Sequence, residues 1–219
     1  MHGLLGCVET EQQSAEKMTG WMAEWIGLFP SKDMIRLAER PFAYLASQRD
    51  GSHTEPIAEE DGVFLAWDGF IAADQLCDDA DFEPETDAEI AHALLKRYGK
   101  RGPDALAGMN GRYLVIVWDS EREALELMND SLGLRPIFLW QDGDRFAFAS
   151  NLYAIASHPE FSLDVDERGL VDLLMLSHEQ ANRTLFGDVS VLPPGSVTTA
   201  QEGCVESRSV RSLEFSDER

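Results

Sequence analysis

Covalent catalysis by a protein side chain requires a nucleophile with a proton acceptor beside it. Cysteines and histidines are therefore the first residues to place. Cys7, Cys77 and Cys204 are odd in number and far apart, which supplies neither a disulfide framework nor a zinc site. His53, His92, His158 and His178 are scattered, none at ligand spacing from another His, a Cys or a carboxylate. No metal is expected. The chain carries no Walker-type glycine loop and no Asp-x-Asp-x-Asp-Gly calcium loop, so no cofactor is expected in it either. Its start, Met1-His2-Gly3-Leu4-Leu5-Gly6, lacks a basic region and a cleavage pattern, so it does not read as a signal peptide.

With 219 residues, 44% of them hydrophobic, the chain can bury the core of one large domain. No apolar run approaches the roughly 20 residues of a membrane span, and the expected location is the cytoplasm. Forty acidic residues face 18 basic ones, a net charge of −22. Between Arg49 and Lys96 no Lys or Arg occurs, while Asp78, Asp79, Asp81, Glu83, Glu85, Asp87 and Glu89 crowd together. Phosphate backbones and anionic membranes would be repelled, so neither nucleic acid nor membrane is expected as partner. The acidic stretch reads as a solvated face or as a docking face for a basic partner.

Residues 3–8 form a short apolar run consistent with a buried strand. Met18, Trp21, Met22, Trp25 and Ile26 have helical spacing over 12–27. An extended stretch covers 34–47, and a strand over 63–67 ends at Asp68-Gly69, a turn dipeptide. Thr86 and Glu89 form a capping box for an amphipathic helix over 88–98. From 111 to 149 the pattern is that of a β-meander, with alternation at Leu125-Glu126-Leu127-Met128 and a turn at Asp142-Gly143. Helices near 151–157 and 166–176 precede a hairpin around Pro193-Pro194-Gly195. The segment 1–200 reads as one domain, and 201–219 as a polar tail or the start of a linker. Strand runs interleaved with helix runs imply α+β with antiparallel sheets.

Several segments, in order, resemble the N-terminal glutaminase domain of the asparagine synthetase family, the class II glutamine amidotransferases. Gly108-Met109-Asn110-Gly111-Arg112-Tyr113, with Val117-Trp118-Asp119 and Asn129-Asp130-Ser131-Leu132-Gly133-Leu134-Arg135-Pro136-Ile137, is similar to the family block LNGMFAFAIWD … RDRLGIKPLYY. Phe148-Ala149-Ser150-Asn151 is similar to FASE. Arg183-Thr184-Leu185-Phe186 with Leu192-Pro193-Pro194-Gly195 is similar to RTLF … LPPG. Five matches in register carry the resemblance over nearly the whole chain. It implies an N-terminal-nucleophile (Ntn) hydrolase-like fold, an αββα sandwich of two antiparallel sheets between helical layers. In physical terms most of the block is structural: Gly133, Pro136 and Pro193-Pro194-Gly195 shape turns, and Trp118 and Trp140 are core aromatics.

Active members begin Met-Cys-Gly-Ile and lose the Met; the exposed thiol attacks the glutamine amide with its own α-amine as base. His2 stands at that place here. An imidazole is a poor substitute for a thiolate at an acyl centre, and Met before a residue this large is expected to stay attached, blocking the amine. Cys7 lies about 17 Å further along an extended strand and reads as a small buried residue. Trp67-Asp68-Gly69-Phe70-Ile71 falls where the family has Asn-Gly-Glu-Ile-Tyr. Asp68 has no proton for an oxyanion, and Phe70 cannot pair with an ammonium. Gly69 matches the family's pocket glycine. Arg40 resembles the arginine that grips the substrate carboxylate; otherwise it belongs to an ion pair. Asp87 resembles the aspartate that pairs with the α-amine; otherwise it belongs to the helix's first turn.

The resemblance thus implies a degenerate glutaminase domain, with His2 at the nucleophile position and Asp68 at the oxyanion position. It would serve as scaffold for an ATP-dependent amide-forming synthetase domain or protein, as in relatives that close a β-lactam or cyclise a lasso peptide. The family's Ser-Gly-Gly-x-Asp-Ser loop is absent from these residues. Two alternatives stand beside this reading: an amino-acid-binding regulatory module using Arg40, Gly69 and Asp87, and an amidohydrolase with a non-standard nucleophile.

Overall fold

A computed structural model describes residues 4–8, 34–39, 42–47, 56–76, 83–143, 145–158, 161–178, 180 and 182–211. These form β1 (Leu4–Val8), β2 (Met34–Glu39), β3 (Phe42–Ser47), β4 (Ile57–Glu60), β5 (Val63–Ile71), α1 (Asp87–Arg101), β6 (Gly111–Asp119), β7 (Ala124–Asn129), β8 (Phe138–Asp142) and β9 (Arg145–Ala149). α2 (Leu152–Ala156), α3 (Glu167–Leu176), β10 (Val189–Val191), β11 (Ser196–Gln201) and β12 (Cys204–Ser209) follow. The strands make two six-stranded sheets, ordered β10-β8-β9-β1-β3-β2 and β12-β11-β7-β6-β5-β4. The paired registers are antiparallel, and the fold is α+β with two antiparallel sheets, as expected. The chain divides into two compact units, one of residues 1–55, 136–192 and 200–205, the other of 56–135, 193–199 and 206–219. The helix expected over 12–27 lies outside the described residues. No helix among the described residues is long and apolar enough to cross a membrane.

In the second unit, β4 turns into β5 through Asp61-Gly62, both at positive φ (51° and 76°). That is the backbone a two-residue hairpin requires. β5 then pairs with β6 along nine residues, from Val63 opposite Asp119 to Ile71 opposite Gly111. Thr86 accepts a hydrogen bond from the Glu89 amide, and the Glu89 carboxylate accepts from the Thr86 amide, so the expected capping box starts α1. α1 buries Ala91, Leu94, Leu95 and Tyr98 in a cluster with Leu65, Trp67, Val115 and Val117. On the alternate positions of β6, Leu114, Ile116 and Trp118 are equally buried. β7 is buried at all six positions, so its apolar-polar alternation does not mark a half-solvated strand. Glu126 is buried there because the Tyr98 hydroxyl (2.8 Å) and the Arg122 guanidinium (3.3 Å) both donate to it.

In the first unit, β1 lies between β3 and β9, and β8 turns into β9 after Asp142-Gly143. Trp140 is buried with Ala147, Ala149, Ile155 and Val189, and its ring lies 4.9 Å from that of His158.

The extended stretch expected over 34–47 is two paired strands, β2 and β3. Three sequence expectations need correction. The meander is divided, because β6 and β7 belong to one sheet and β8 and β9 to the other. Pro193-Pro194-Gly195 joins β10 of the first sheet to β11 of the second, so it closes no hairpin. Residues 204–209, within the segment read as a polar tail, form the edge strand β12. Exposed at most positions, β12 has no apolar alternation to betray it.

Burial lowers the pKa of His158, and Arg145 lowers it further against a smaller opposing effect of Asp142. A histidine whose folded-state pKa is depressed binds more protons when unfolded, so its contribution is whole above about pH 6.5 and is lost as pH falls. His158→Phe, which keeps a ring against Trp140, is therefore expected to flatten the fall in urea-unfolding stability between pH 7 and 5. Identical pH slopes for both proteins would contradict this.

Candidate functional site

The second unit assembles its polar residues around the far ends of β5 and β6. Asp68 and Gly69 do not form a turn: they continue β5, opposite Leu114 and Tyr113 of β6. Gly69 has a φ of +129°, and a Cβ there would sit 2.1 Å from the Arg112 carbonyl oxygen. Two residues further, Gly111 is in a similar position, 2.4 Å from the Phe70 carbonyl oxygen. Only glycine fits at either place. Phe70, between Gly69 and Ile71, is 67% exposed, with no charge to offer a ligand.

Asp68 forms an ion pair with Arg135, both side chains largely buried. Arg135 lies in the loop after β7, whose course is fixed by Asp130. The buried Asp130 carboxylate accepts hydrogen bonds from the amides of Leu132 (3.0 Å), Leu134 (3.2 Å) and Tyr113 (3.3 Å). Its carbonyl accepts from Gly133 and Gly195. Gly133, at φ +60°, lets the loop turn against Pro194. Asn129 beside it accepts from the Ser196 amide at 3.2 Å. Tyr113 completes this anchor: its hydroxyl donates to the Leu106 carbonyl (2.6 Å) and accepts from the Met109 amide (2.8 Å). Burial pushes the Tyr113 phenol well above its usual pKa, so it stays a neutral donor.

Asp87 is the first residue of α1, and its carbonyl accepts a hydrogen bond from the Trp67 indole at 3.0 Å. The start of α1 is thereby tied to β5 one residue before Asp68. Successive side chains of a strand face opposite sides of its sheet, so Asp68 does not share the face on which Trp67 meets the start of α1. His2 and Arg40 lie outside the described residues, so nothing places them relative to Asp68, Gly69 and Asp87. Cys7 occupies β1, with its backbone opposite Ala43 and Ala147. Among the described residues, no group of three His, Cys, Asp or Glu side chains could hold a metal ion.

Arg135 lies within the family-like block, where the family string carries a lysine, and sequence spacing alone does not mark it as the ion-pair partner of Asp68.

A family model described as a glutamine amidotransferase domain matches residues 1–210. The chain belongs to this family. As a class II glutamine amidotransferase-like domain, it is similar to asparagine synthetase [glutamine-hydrolyzing] 3 of Bacillus subtilis (strain 168), 32% identical over 56% of this chain and 20% of the relative. It is also similar to the putative asparagine synthetase [glutamine-hydrolyzing] 2 of Methanocaldococcus jannaschii, 31% identical over 36% of this chain and 15% of the relative. In both cases the match spans a fifth or less of the relative's length. Its fold is that of the glutamine phosphoribosylpyrophosphate amidotransferase from B. subtilis complexed with ADP and GMP. That match has a TM-score of 0.62 at 15% identity, over 95% of this chain and 49% of that one. A structure of the allosteric regulatory enzyme of purine biosynthesis matches over the same shares, at 15% identity and TM-score 0.63.

Arg135→Met strands the Asp68 carboxylate and is expected to cost about 2 kcal/mol of unfolding free energy. Adding Asp68→Asn should recover about half of that loss in a double-mutant cycle by urea titration. Additive effects of the two substitutions would show that the pair is not an energetic unit.

Proposed function

We propose that this chain is a catalytically degenerate glutaminase-like domain of an asparagine synthetase-like, ATP-dependent amide-forming system. In this reading it acts as a scaffold or partner for a synthetase domain outside these residues. The observation that carries the reading is the Asp68–Arg135 ion pair. At the place where the family sets an asparagine amide to donate to the oxyanion, a carboxylate stands and is already neutralised by a guanidinium. An oxyanion developing there would meet negative charge instead of a donor. Two further features agree with it. The Met-Cys-Gly-Ile motif reads Met1-His2-Gly3-Leu4, without the thiol, and Phe70 replaces the pocket glutamate.

A system that forms a macrolactam or cyclises a peptide takes its amine from within the substrate, as relatives that make β-lactams or lasso peptides do. Such a system has no use for released ammonia. Loss of the nucleophile with the fold retained suits that chemistry better than asparagine formation. One second reading, an amino-acid-binding regulatory module, rests on Arg40 and Asp87, which resemble the family's clamp on the substrate's carboxylate and α-amine.

The purified chain with glutamine is expected to release ammonia no faster than buffer, and to sediment together with a candidate ATP-dependent synthetase. Glutamine-dependent ammonia that disappears in a His2→Ala or Cys7→Ser variant would overturn the loss of catalysis. Failure to associate would remove the scaffold role. Heat on titrating amino acids into the chain, abolished by Asp87→Asn, would favour the binding module.

A further inference from the structure

α3 is mounted the wrong way round for a solitary amphipathic helix. A helix on a protein surface turns its apolar stripe toward the core and its charges to water. In α3, the residues turned toward the rest of the first unit are Gly169, Asp172 and Leu173. Gly169 is fully covered, and a Cβ there would lie 2.3 Å from the Thr184 carbonyl oxygen. The Asp172 carboxylate pairs with Arg183 and accepts from the Gln180 amide. Before the helix, Val165 bridges to Phe186. These contacts fix the helix backbone from one side.

The other side carries Leu170, Val171, Leu174 and Met175. At 100° per residue they form one stripe about 140° wide. Val171 is 57% exposed, Leu174 73% and Met175 78%. Leu163, on the approach to the helix, is 70% exposed as well. Four neighbouring large aliphatic side chains in water on a rigidly seated helix are costly in a protein that otherwise buries its core residues. Because the helix is held by Gly169 and Asp172, the stripe is ready-made and loses little freedom on being covered.

Charge decides what covers it. Asp164, Asp166 and Glu167 stand at the N-terminal end of the stripe with Arg168 as the single cation among them, and the chain as a whole carries −22. A second copy would bring the same charge to the same face. We propose that the Leu170–Met175 face of α3 docks a protein partner through an amphipathic helix whose apolar ridge is flanked by lysine or arginine. The ridge packs between Val171, Leu174 and Met175 in the helix-on-groove manner, and the cations meet Asp164 and Glu167. The inference goes beyond the loss of glutaminase chemistry and does not need it; ammonia release by the chain would leave it standing.

The test uses three synthetic 18-residue peptides: a Leu/Lys amphipathic helix, a scramble of the same composition, and a Leu/Glu counterpart. Binding to the full chain is read by fluorescence anisotropy. The Leu/Lys helix should bind at least tenfold tighter than its scramble, and the Leu/Glu helix should not bind. A Leu174→Gln/Met175→Gln variant, altered only at exposed positions, should lose that tenfold margin. Equal affinity for the scramble would reduce the effect to bulk charge, and an unchanged margin in the variant would move the site off α3; either result overturns the proposal. So would sedimentation equilibrium that finds a wild-type dimer and a monomeric variant, since the face would then join two copies.

Discussion

The carboxylate of Asp130 accepts three backbone N–H groups, and those bonds determine where the chain can go after β7. Two of them, from Leu132 and Leu134, curl the loop around the carboxylate; the third, from Tyr113, fastens it to β6. The main-chain carbonyl of the same residue receives Gly195 from the segment before β11. A buried charge is tolerable only when such donors surround it. Here they do so at the point where three strands of one sheet must be brought into line. Arg135 emerges from this loop, so the ion pair that occupies Asp68 is a consequence of the Asp130 anchor.

That chain of dependence runs through the backbone. The close approach of β5 and β6 at Gly69 and Gly111 and the link from Trp67 to the first residue of α1 are architectural. Under the proposed function, the residues that would meet a reacting carbonyl differ: Asp68 in place of an amide donor and Phe70 in place of a carboxylate. A site can lose its electrostatics while the backbone that carried them remains, because hydrogen bonds between main-chain atoms do not depend on which side chain the strand presents.

Much of the fold was legible in the sequence because it rests on local signals. The Thr86–Glu89 cap, the apolar run of Tyr113–Trp118 and the helix over 166–176 each announce themselves within a few residues. Sheet membership did not. Leu127-Met128 and Phe138-Leu139 look like successive strands of one meander, and nothing in their spacing says that the Asp130 loop sends the second pair into another sheet. Asp68-Gly69 misled for a related reason. The glycine is required by the Arg112 carbonyl across the ladder, a contact that the dipeptide itself cannot reveal, while the hairpin turn lay at Asp61-Gly62. Motif resemblance points to Asp68 and Asp87 as candidates, but nothing near Asp68 in sequence points to Arg135, which meets it only through the course of the loop after β7.

The order of strands in the first sheet has its own bearing on how the molecule is made. Leu5 of β1 pairs with Leu45 of β3 on one side, but on the other it faces Ala149 of β9. The strands β4 to β7 can zip together as they leave the ribosome, each beside its predecessor. β1 is synthesised long before β9 and must wait, one edge unpaired, until that partner appears. Such long-range closure is slow to form, and an open edge invites pairing with the wrong strand in the interval. The biogenesis of this sheet is therefore most exposed to error at β1.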